Sequence, residues 1–322
     1  MEFRRLGKTD LMVSRLGFGA AGLGDLYGVI DPAEAVRAVH MAIDSGINLF
    51  DAAPFYGETL AEERLGIALA GRRDRVVLAT KCGRLGFHEF DYSAKGVRAG
   101  LEGSLARLGT EYVDLLQVHD VEFGDFAQVI DETLPELRRL QAEGKTRYVG
   151  ITGYPLGMLA RILKATSVDS VLTYSRYNLL ITDMDEVLTP VARQNSVGLI
   201  NASALSMGIL TAHGPAAWHP APVALKAAGQ RAVQLARERG VSLSNQALRF
   251  CFDHPYVSST LVGMSTTEHV RSNMETLLVQ SNPAFQQEIR LLFGEFLNYV
   301  WPSGKPENWD VSKSTNPQLE TV

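Results

Sequence analysis

A chain of 322 residues, 46% of them apolar, can bury one large core, and its formal charge of −5 lacks the basic excess that nucleic-acid binding requires. Its two cysteines, Cys82 and Cys251, lie far apart without metal-ligand spacing, so no disulfide framework and no metal site are expected, and a reducing compartment is. The opening MEFRRLGKTD has no apolar signal-peptide core and no run of about 18 apolar residues occurs, so the expectation is a cytoplasmic protein off the membrane.

In chain order, Gly7-Lys8-Thr9-Asp10 between two short mixed segments reads as a small β-hairpin, followed by a strand from Val13 to Gly19. Asp31-Pro32-Ala33-Glu34 reads as a capping box opening a helix, with Val36, Val39 and Ile43 on its apolar face and Gly46 as its stop. The apolar run Ile47-Asn48-Leu49-Phe50 then reads as a buried strand ending at Asp51. A helix near Leu60–Ala70 precedes the strand Val76 to Thr80, closed by Lys81. Val97, Leu101, Leu105 and Leu108 carry the next helix up to Gly109, and the strand Tyr112 to Val118 is closed by His119.

The alternation continues. A helix around Val129 to Ala142 stops at Gly144, and the strand Arg147 to Ile151 ends in Thr152-Gly153. Helix Leu156–Lys164, strand Ser170 to Tyr174, helix Met184–Gln194 and strand Val197 to Ala202 follow. Two helical stretches, Ala224–Arg239 and Ser244–Asp253, lead to a last strand, Ser258 to Val262, and Ser265-Thr266-Thr267-Glu268 reads as another capping box. After a further helix, Phe285–Val300, a polar tail is expected on the surface, its first residues near the barrel mouth. Eight apolar strands, each followed by a helical segment, predict a single α/β domain over residues 1–304. Its expected architecture is a closed (β/α)8 TIM barrel with an N-terminal hairpin cap and extra C-terminal helices, trailed by the tail at 305–322.

Gly17-Phe-Gly19-Ala-Ala-Gly22 matches the glycine pattern of a Rossmann dinucleotide site, which needs a helix starting at its third glycine. Here Gly22 to Gly28 continues as loop and the helix waits for Pro32, so a mobile first loop beside a ligand explains the glycines better. The stronger signal is Asp51, Lys81 and His119 at the C-terminal ends of the second, third and fourth strands, with Tyr56 on the loop after the second. In a barrel these ends share one face. A phenol with a reference pKa of about 10 is a poor proton carrier at neutral pH. A neighbouring ammonium is expected to lower that value, a carboxylate to hold the lysine charged, and an imidazole to orient a substrate oxygen.

These residues carry a family resemblance. Asp51-x-x-x-x-Tyr56-Gly57, the lysine-ending strand Val77-Leu-Ala-Thr-Lys81 and the histidine-ending strand Tyr112-Val-Asp-Leu-Leu-Gln-Val-His119 resemble the tetrad motifs of the aldo-keto reductases, over about residues 3–304. Segments such as Thr80-Lys-Cys-Gly-Arg84, His119-Asp-Val-Glu-Phe-Gly124, Ile151-Thr-Gly-Tyr-Pro155, Trp218-His-Pro220 and Trp301-Pro-Ser-Gly304 are similar to the branch that oxidises aldoses at C1. The resemblance implies Tyr56 as general acid/base, Lys81 and Asp51 as its tuners and His119 as the substrate-orienting group. It also implies a cofactor cradle of Gly22, Asp51, Thr152, Tyr174, Ser203, Leu205, Gly263, Ser265, His269 and Asn273. Ala202 stands where relatives stack a tyrosine on the nicotinamide, and Gly153 replaces an expected amide contact.

The loop Gly263-Met-Ser-Thr-Thr-Glu268 has no base for a 2′-phosphate, and Glu268 would repel one, so NAD is favoured over NADP, with Arg271 as the counter-indication. Of the aromatics expected at the mouth (Tyr27, Phe55, Tyr92, Phe123, Tyr154, Trp218 and Trp301), Trp301 is taken to meet substrate along with Tyr56, His119 and Glu122. The function that the resemblance implies, with NAD favoured by the loop, is oxidation of an aldose of the L-galactose, L-fucose or D-arabinose type to its lactone. The alternatives are an NADPH-dependent aldehyde or ketone reductase, and a nucleotide-binding regulatory subunit of the potassium-channel β type. The sequence leaves the oligomeric state open.

Overall fold

The computed structural model describes residues 1–310. Its first two strands, β1 (Phe3–Arg5) and β2 (Met12–Ser14), pair antiparallel. In the turn between them Gly7 has φ +55°, and a side chain there would collide with the backbone at Gly198. Arg15 separates β2 from β3 (Leu16–Gly19), so the run expected as one strand from Val13 is two. The cause is Asn48, whose side chain accepts from Ser14 N at 2.7 Å and donates to Met12 O at 2.8 Å. These bonds finish the hairpin edge, while the Ser14 hydroxyl turns back to Leu16 O.

β3 begins a closed barrel of eight parallel strands, continued by β4 (Leu49–Asp51), β5 (Val77–Cys82), β6 (Val113–Val118), β7 (Thr146–Gly153), β8 (Ser170–Tyr174), β9 (Gly198–Ala202) and β10 (Val257–Gly263). Each strand pairs with the next, and β10 closes the ring against β3 with Thr260 opposite Leu16. The outer helices are α1 (Pro32–Asp44), α2 (Leu60–Leu69) and α3 (Ala94–Leu108), then α4 (Phe126–Gln128), which passes through a π-helical turn at Val129–Thr133 into α5 (Leu134–Ala142). They continue as α6 (Leu156–Ala165), α7 (Met184–Val187), α8 (Thr189–Gln194), α9 (Val223–Glu238), α10 (Leu243–Phe252), α11 (Thr267–Thr276) and α12 (Pro283–Phe293). Among the described residues no helix is long and apolar enough to cross a membrane.

Several boundaries depart from the sequence reading for local reasons. The helix expected over 184–194 is divided at Leu188, because Pro190 has no N–H to continue the ladder. α12 stops at Phe293, where Gly294 takes a positive φ, and a 3-10 turn replaces the rest of the helix expected to reach Val300. α11 is capped by Thr266, which accepts from His269 N, so the box expected at Ser265 and Glu268 is displaced by one residue. Asp31 caps α1 as expected, accepting from Ala33 N, but Glu34 leaves the box and reaches Thr267, the first residue of α11. Of the tail, residues 311–322 lie outside the described ones, and residues 305–310 fold back over the barrel mouth.

Inside the barrel Leu49, Val77, Ala79, Leu115, Leu172, Ile200 and Leu261 form an apolar layer, and Leu6, Leu11 and Val13 of the hairpin pack onto it from the floor. A larger apolar shell joins the strands to the helices. With the floor plugged, the open end is the one where β4, β5 and β6 finish, which is where parallel barrels place their chemistry. Leu6 is fully buried, so Leu6→Ala is expected to cost about 2–5 kcal/mol through lost burial and a floor cavity. Urea denaturation checks it: the midpoint falls while the slope stays that of the parent protein.

Candidate active site

Asp51 ends β4, Lys81 sits one residue before the end of β5, and His119 follows β6 directly. The strand alternation turns Asp51 and Lys81 toward the barrel axis, where the Lys81 ammonium is hydrogen-bonded to Asp51 Oδ1 and donates to Ala52 O at 2.8 Å. Side-chain exposure is 1% for Lys81 and 4% for Asp51, so this is a buried ion pair. The second Asp51 oxygen accepts from Gln117 Nε2 at 3.0 Å. Tyr56, half-buried on the loop after β4, brings its ring to 4.7 Å from the Lys81 nitrogen and 5.7 Å, edge to face, from the His119 ring. The four expected groups therefore meet at one place.

Their electrostatics differ from the sequence expectation in one respect. Burial pushes the Tyr56 phenol up to about 12, and the Lys81 charge recovers only part of that rise. Burial also opposes the Lys81 charge, but Asp51 and Tyr56 outweigh it and hold the ammonium above the ordinary lysine value. Burial takes the His119 imidazole down to about 3, with Lys81 and Arg84 acting in the same direction against Asp120, so the ring is neutral in the working range. Its Nδ1 is buried without a partner among the described residues. The arrangement can hold a proton on the Tyr56 oxygen and release it only when further positive charge or a strong acceptor arrives. Surface clefts of about 420 Å³ exist elsewhere, one beside Pro54, Leu85 and Arg107 and one beside Tyr177, His254 and Tyr256, and neither is lined by a tetrad residue.

A second layer, not anticipated from the sequence, fixes the turn after β6. Asp120 has φ +47°, and its carboxylate pairs with Arg84. The Tyr92 hydroxyl contacts the carbonyls of His119 and Asp120, both at 2.8 Å, while Asp120 N donates to Thr152 Oγ1. Thr133, in the π-helical turn, donates to Tyr92 O at 2.6 Å.

The other expected cofactor positions ring the mouth. Gly22 lies in the 3-10 turn after β3, where a Cβ would stand 3.1 Å from that of Ser265. Gly263 ends β10 with open space beside it, and Ser265 Oγ lies 3.3 Å from His269 Nδ1. His269 is exposed and Asn273 half-buried on α11. Tyr174 stands in register with Ala202 on the neighbouring strand, and Ser203 and Leu205 follow it. A feature the sequence reading missed is Glu34, whose carboxylate takes both the N–H and the hydroxyl of Thr267 at 2.7 Å. These bonds hold its pKa down to about 2, so an anion sits at the start of α11 at every working pH.

The two expected substrate positions on the far side meet at the returning C-terminal segment. Trp301 stacks on Tyr154 at 4.6 Å, and Arg176 lies against the Tyr154 ring. Glu122 is fully buried: Oε1 accepts from Ser303 and from Tyr154 N, and its carbonyl accepts from Lys305 N and Asn308. Asp310 accepts from Leu156 N and Gly157 N at the start of α6 and pairs with Arg176. Burial, with Asp120 adding to it, raises Glu122 to about 8. The folded state thus holds this proton more tightly than the unfolded chain, so the stability Glu122 contributes is complete below about pH 4.5 and is lost as pH rises through about 8. In Glu122→Gln that component disappears, so its urea midpoint, compared with the parent's, should improve steadily between pH 5 and pH 8.

Residues 15–290 match the profile of the family described as Aldo/keto reductase family. The chain is 40% identical over 319 residues to L-galactose dehydrogenase of Arabidopsis thaliana, a match spanning 96% of this chain and 99% of that one. It is 30% identical over 296 residues to D-threo-aldose 1-dehydrogenase of Pseudomonas sp, spanning 83% and 90%. Among solved structures, the holo form of aldo-keto reductase AKR11C1 from Bacillus halodurans superimposes with a TM-score of 0.76 at 28% identity, over 94% of this chain and 98% of that one. With its eight-stranded closed barrel and with an acid, a tyrosine, a lysine and a histidine gathered at one end, this chain belongs to the aldo/keto reductase family, oxidoreductases that work with a nicotinamide cofactor.

Proposed function

We propose that the protein oxidises an aldose at C1 to the lactone with NAD, and that Tyr56 is the general acid/base. The observation that carries the chemistry is the buried Lys81 ammonium set between the Asp51 carboxylate and the Tyr56 ring. The aldose class rests on the likeness to L-galactose dehydrogenase and D-threo-aldose 1-dehydrogenase.

The residues at the mouth fit a dinucleotide. Gly22 lets the first loop close on Ser265, Gly263 leaves the exit of β10 open, and Thr152, whose oxygen is taken by Asp120 N, keeps a hydroxyl hydrogen to donate. Gly22, Thr152, Tyr174, Ser203, Leu205, Gly263, Ser265, His269 and Asn273 would hold it, with Asp51 close to the nicotinamide end. Glu34 favours NAD over NADP, since its carboxylate already takes the first free amide of α11 and would repel a 2′-phosphate there. Bound NAD supplies the acceptor for the hydride that leaves C1.

In oxidation the Tyr56 oxygen receives the proton of the anomeric hydroxyl as the C1–H bond breaks and the C1–O bond becomes a carbonyl. Lys81 stabilises the phenolate form of Tyr56, and Asp51 keeps Lys81 charged. Neutral His119 orients the hydroxyl without competing for its proton. Trp301 offers an aromatic face to the sugar's CH groups, and Glu122 holds the segment that carries Trp301 through Ser303.

Initial rates with L-galactose, L-fucose and D-arabinose, and with aldehydes in the reverse direction, each with NAD(H) and NADP(H), test the reading. The expected result is sugar oxidation with NAD. A strong NADPH preference without sugar oxidation would replace it by a carbonyl reductase, and no turnover at all by a nucleotide-binding regulatory role. Tyr56→Phe is expected to lower sugar oxidation by about 10²–10⁴-fold with NAD binding retained. Because the phenol stays protonated at neutral pH, oxidation by the parent protein should accelerate from about pH 6 to about pH 10.

A further inference from the structure

The His119 imidazole is boxed by three groups: the ring of Phe55 at 5.8 Å, the ring of Tyr56 at 5.7 Å, and the Asp120 carboxylate, whose Oδ2 lies 3.7 Å from His119 Nε2. The same Asp120 oxygen pairs with Arg84 Nη1. Arg84 is in turn held by aromatic faces, its guanidinium carbon 3.9 Å from the Phe55 ring centre and 4.9 Å from that of Phe123. One cation therefore braces both a wall of the imidazole box and the carboxylate that forms another wall. The backbone beneath is fixed as well, since Tyr92 and Thr152 hold the left-handed Asp120 from either side.

We propose that Arg84 and Asp120 are positioning residues for His119. The pair presents one charge-compensated carboxylate oxygen to Nε2, favours the tautomer protonated there, and leaves Nδ1 as the bare acceptor. At 3.7 Å the carboxylate acts through its field on the N–H dipole rather than through a direct hydrogen bond. Burial is what chiefly keeps the ring neutral, and Arg84 adds to it by compensating Asp120, which by itself favours the imidazolium. The groups facing the imidazole are Tyr56 from the loop after β4, Lys81 from β5, Arg84 beyond β5, and Asp120 beyond β6. Of the charges, Lys81 and Arg84 disfavour the imidazolium and Asp120 favours it. The catalytic consequence rests on the reading of His119 as the substrate-orienting group.

The test is nitrogen-15 NMR of imidazole-labelled full-length protein without substrate, the His119 signals being identified among the seven histidines by their loss in His119→Gln. The parent protein should show a protonated Nε2, a bare Nδ1 and no titration from about pH 5 to about pH 8. In Arg84→Met the Asp120 carboxylate and the Phe55 ring lose their brace, so the two tautomers of His119 should mix and kcat/KM for sugar should fall about tenfold with the KM for NAD unchanged. Arg84→Lys should restore most of both. If Arg84→Met does not fold, the uncharged double variant Arg84→Met with Asp120→Asn removes the buried orphan carboxylate, and there the two tautomers should mix. Parent-like His119 signals in Arg84→Met or in the double variant would overturn the proposal. Failure of the parent protein to oxidise sugars would count against the proposed function alone, because the NMR signature is read without substrate.

Discussion

The molecule is built around an ion pair that a barrel interior should not tolerate. Taking an ammonium and a carboxylate out of water costs several kcal/mol per ion, and the mutual attraction of Lys81 and Asp51 offsets this only if their remaining hydrogen-bonding capacity is met. The fold meets it. Ala52 O takes a second Lys81 hydrogen, and Gln117, one strand further round, donates to the free Asp51 oxygen. Three adjacent strands thus contribute to one charge pair, which requires β4, β5 and β6 to keep their register. The plugged floor, with Leu6 and Leu11 beneath the apolar layer, keeps water from reaching the pair from below.

What lies around the pair uses the same economy of contacts. Tyr56 is close enough to Lys81 to feel its charge yet remains protonated, and His119 is close enough to Tyr56 to share a substrate oxygen yet remains neutral. Each group is set by burial first and by its charged neighbours second. A ligand bringing positive charge to this face would therefore shift the phenol more than it would in water, because little solvent is present to screen it.

The fold was legible because buried parallel strands are continuous apolar runs and the helices between them carry marked starts and stops. The tetrad was legible for a related reason: a polar residue closing an apolar strand is conspicuous, and three of them at successive strand ends coincide only in a closed barrel. What was not legible depends on where side chains go. Asn48 breaks the run from Val13, Glu34 leaves its own helix start for that of α11, and Thr266 takes the cap that Ser265 was expected to make. The direction of the Tyr56 shift was misjudged because a sequence names the neighbouring charge but not the depth of burial. Arg84 and Asp120 lie 36 positions apart in the segments Thr80–Arg84 and His119–Gly124, and nothing along the chain reports that they pair.

The π-helical turn at Val129–Thr133 links the outside of the barrel to its centre. Leu134 N bonds to Val129 O, five residues back, so the helix accommodates one residue more than a regular turn holds, and Thr133 is thereby aimed at Tyr92 O. Tyr92 grips the carbonyls on either side of the His119–Asp120 peptide. Deleting a single residue from this solvent-side helix would regularise the spiral and swing Thr133 about 100° round its axis, away from Tyr92. The imidazole at the axis is in that sense anchored to the winding of an outer layer, and insertions or deletions there bear on chemistry that they never touch.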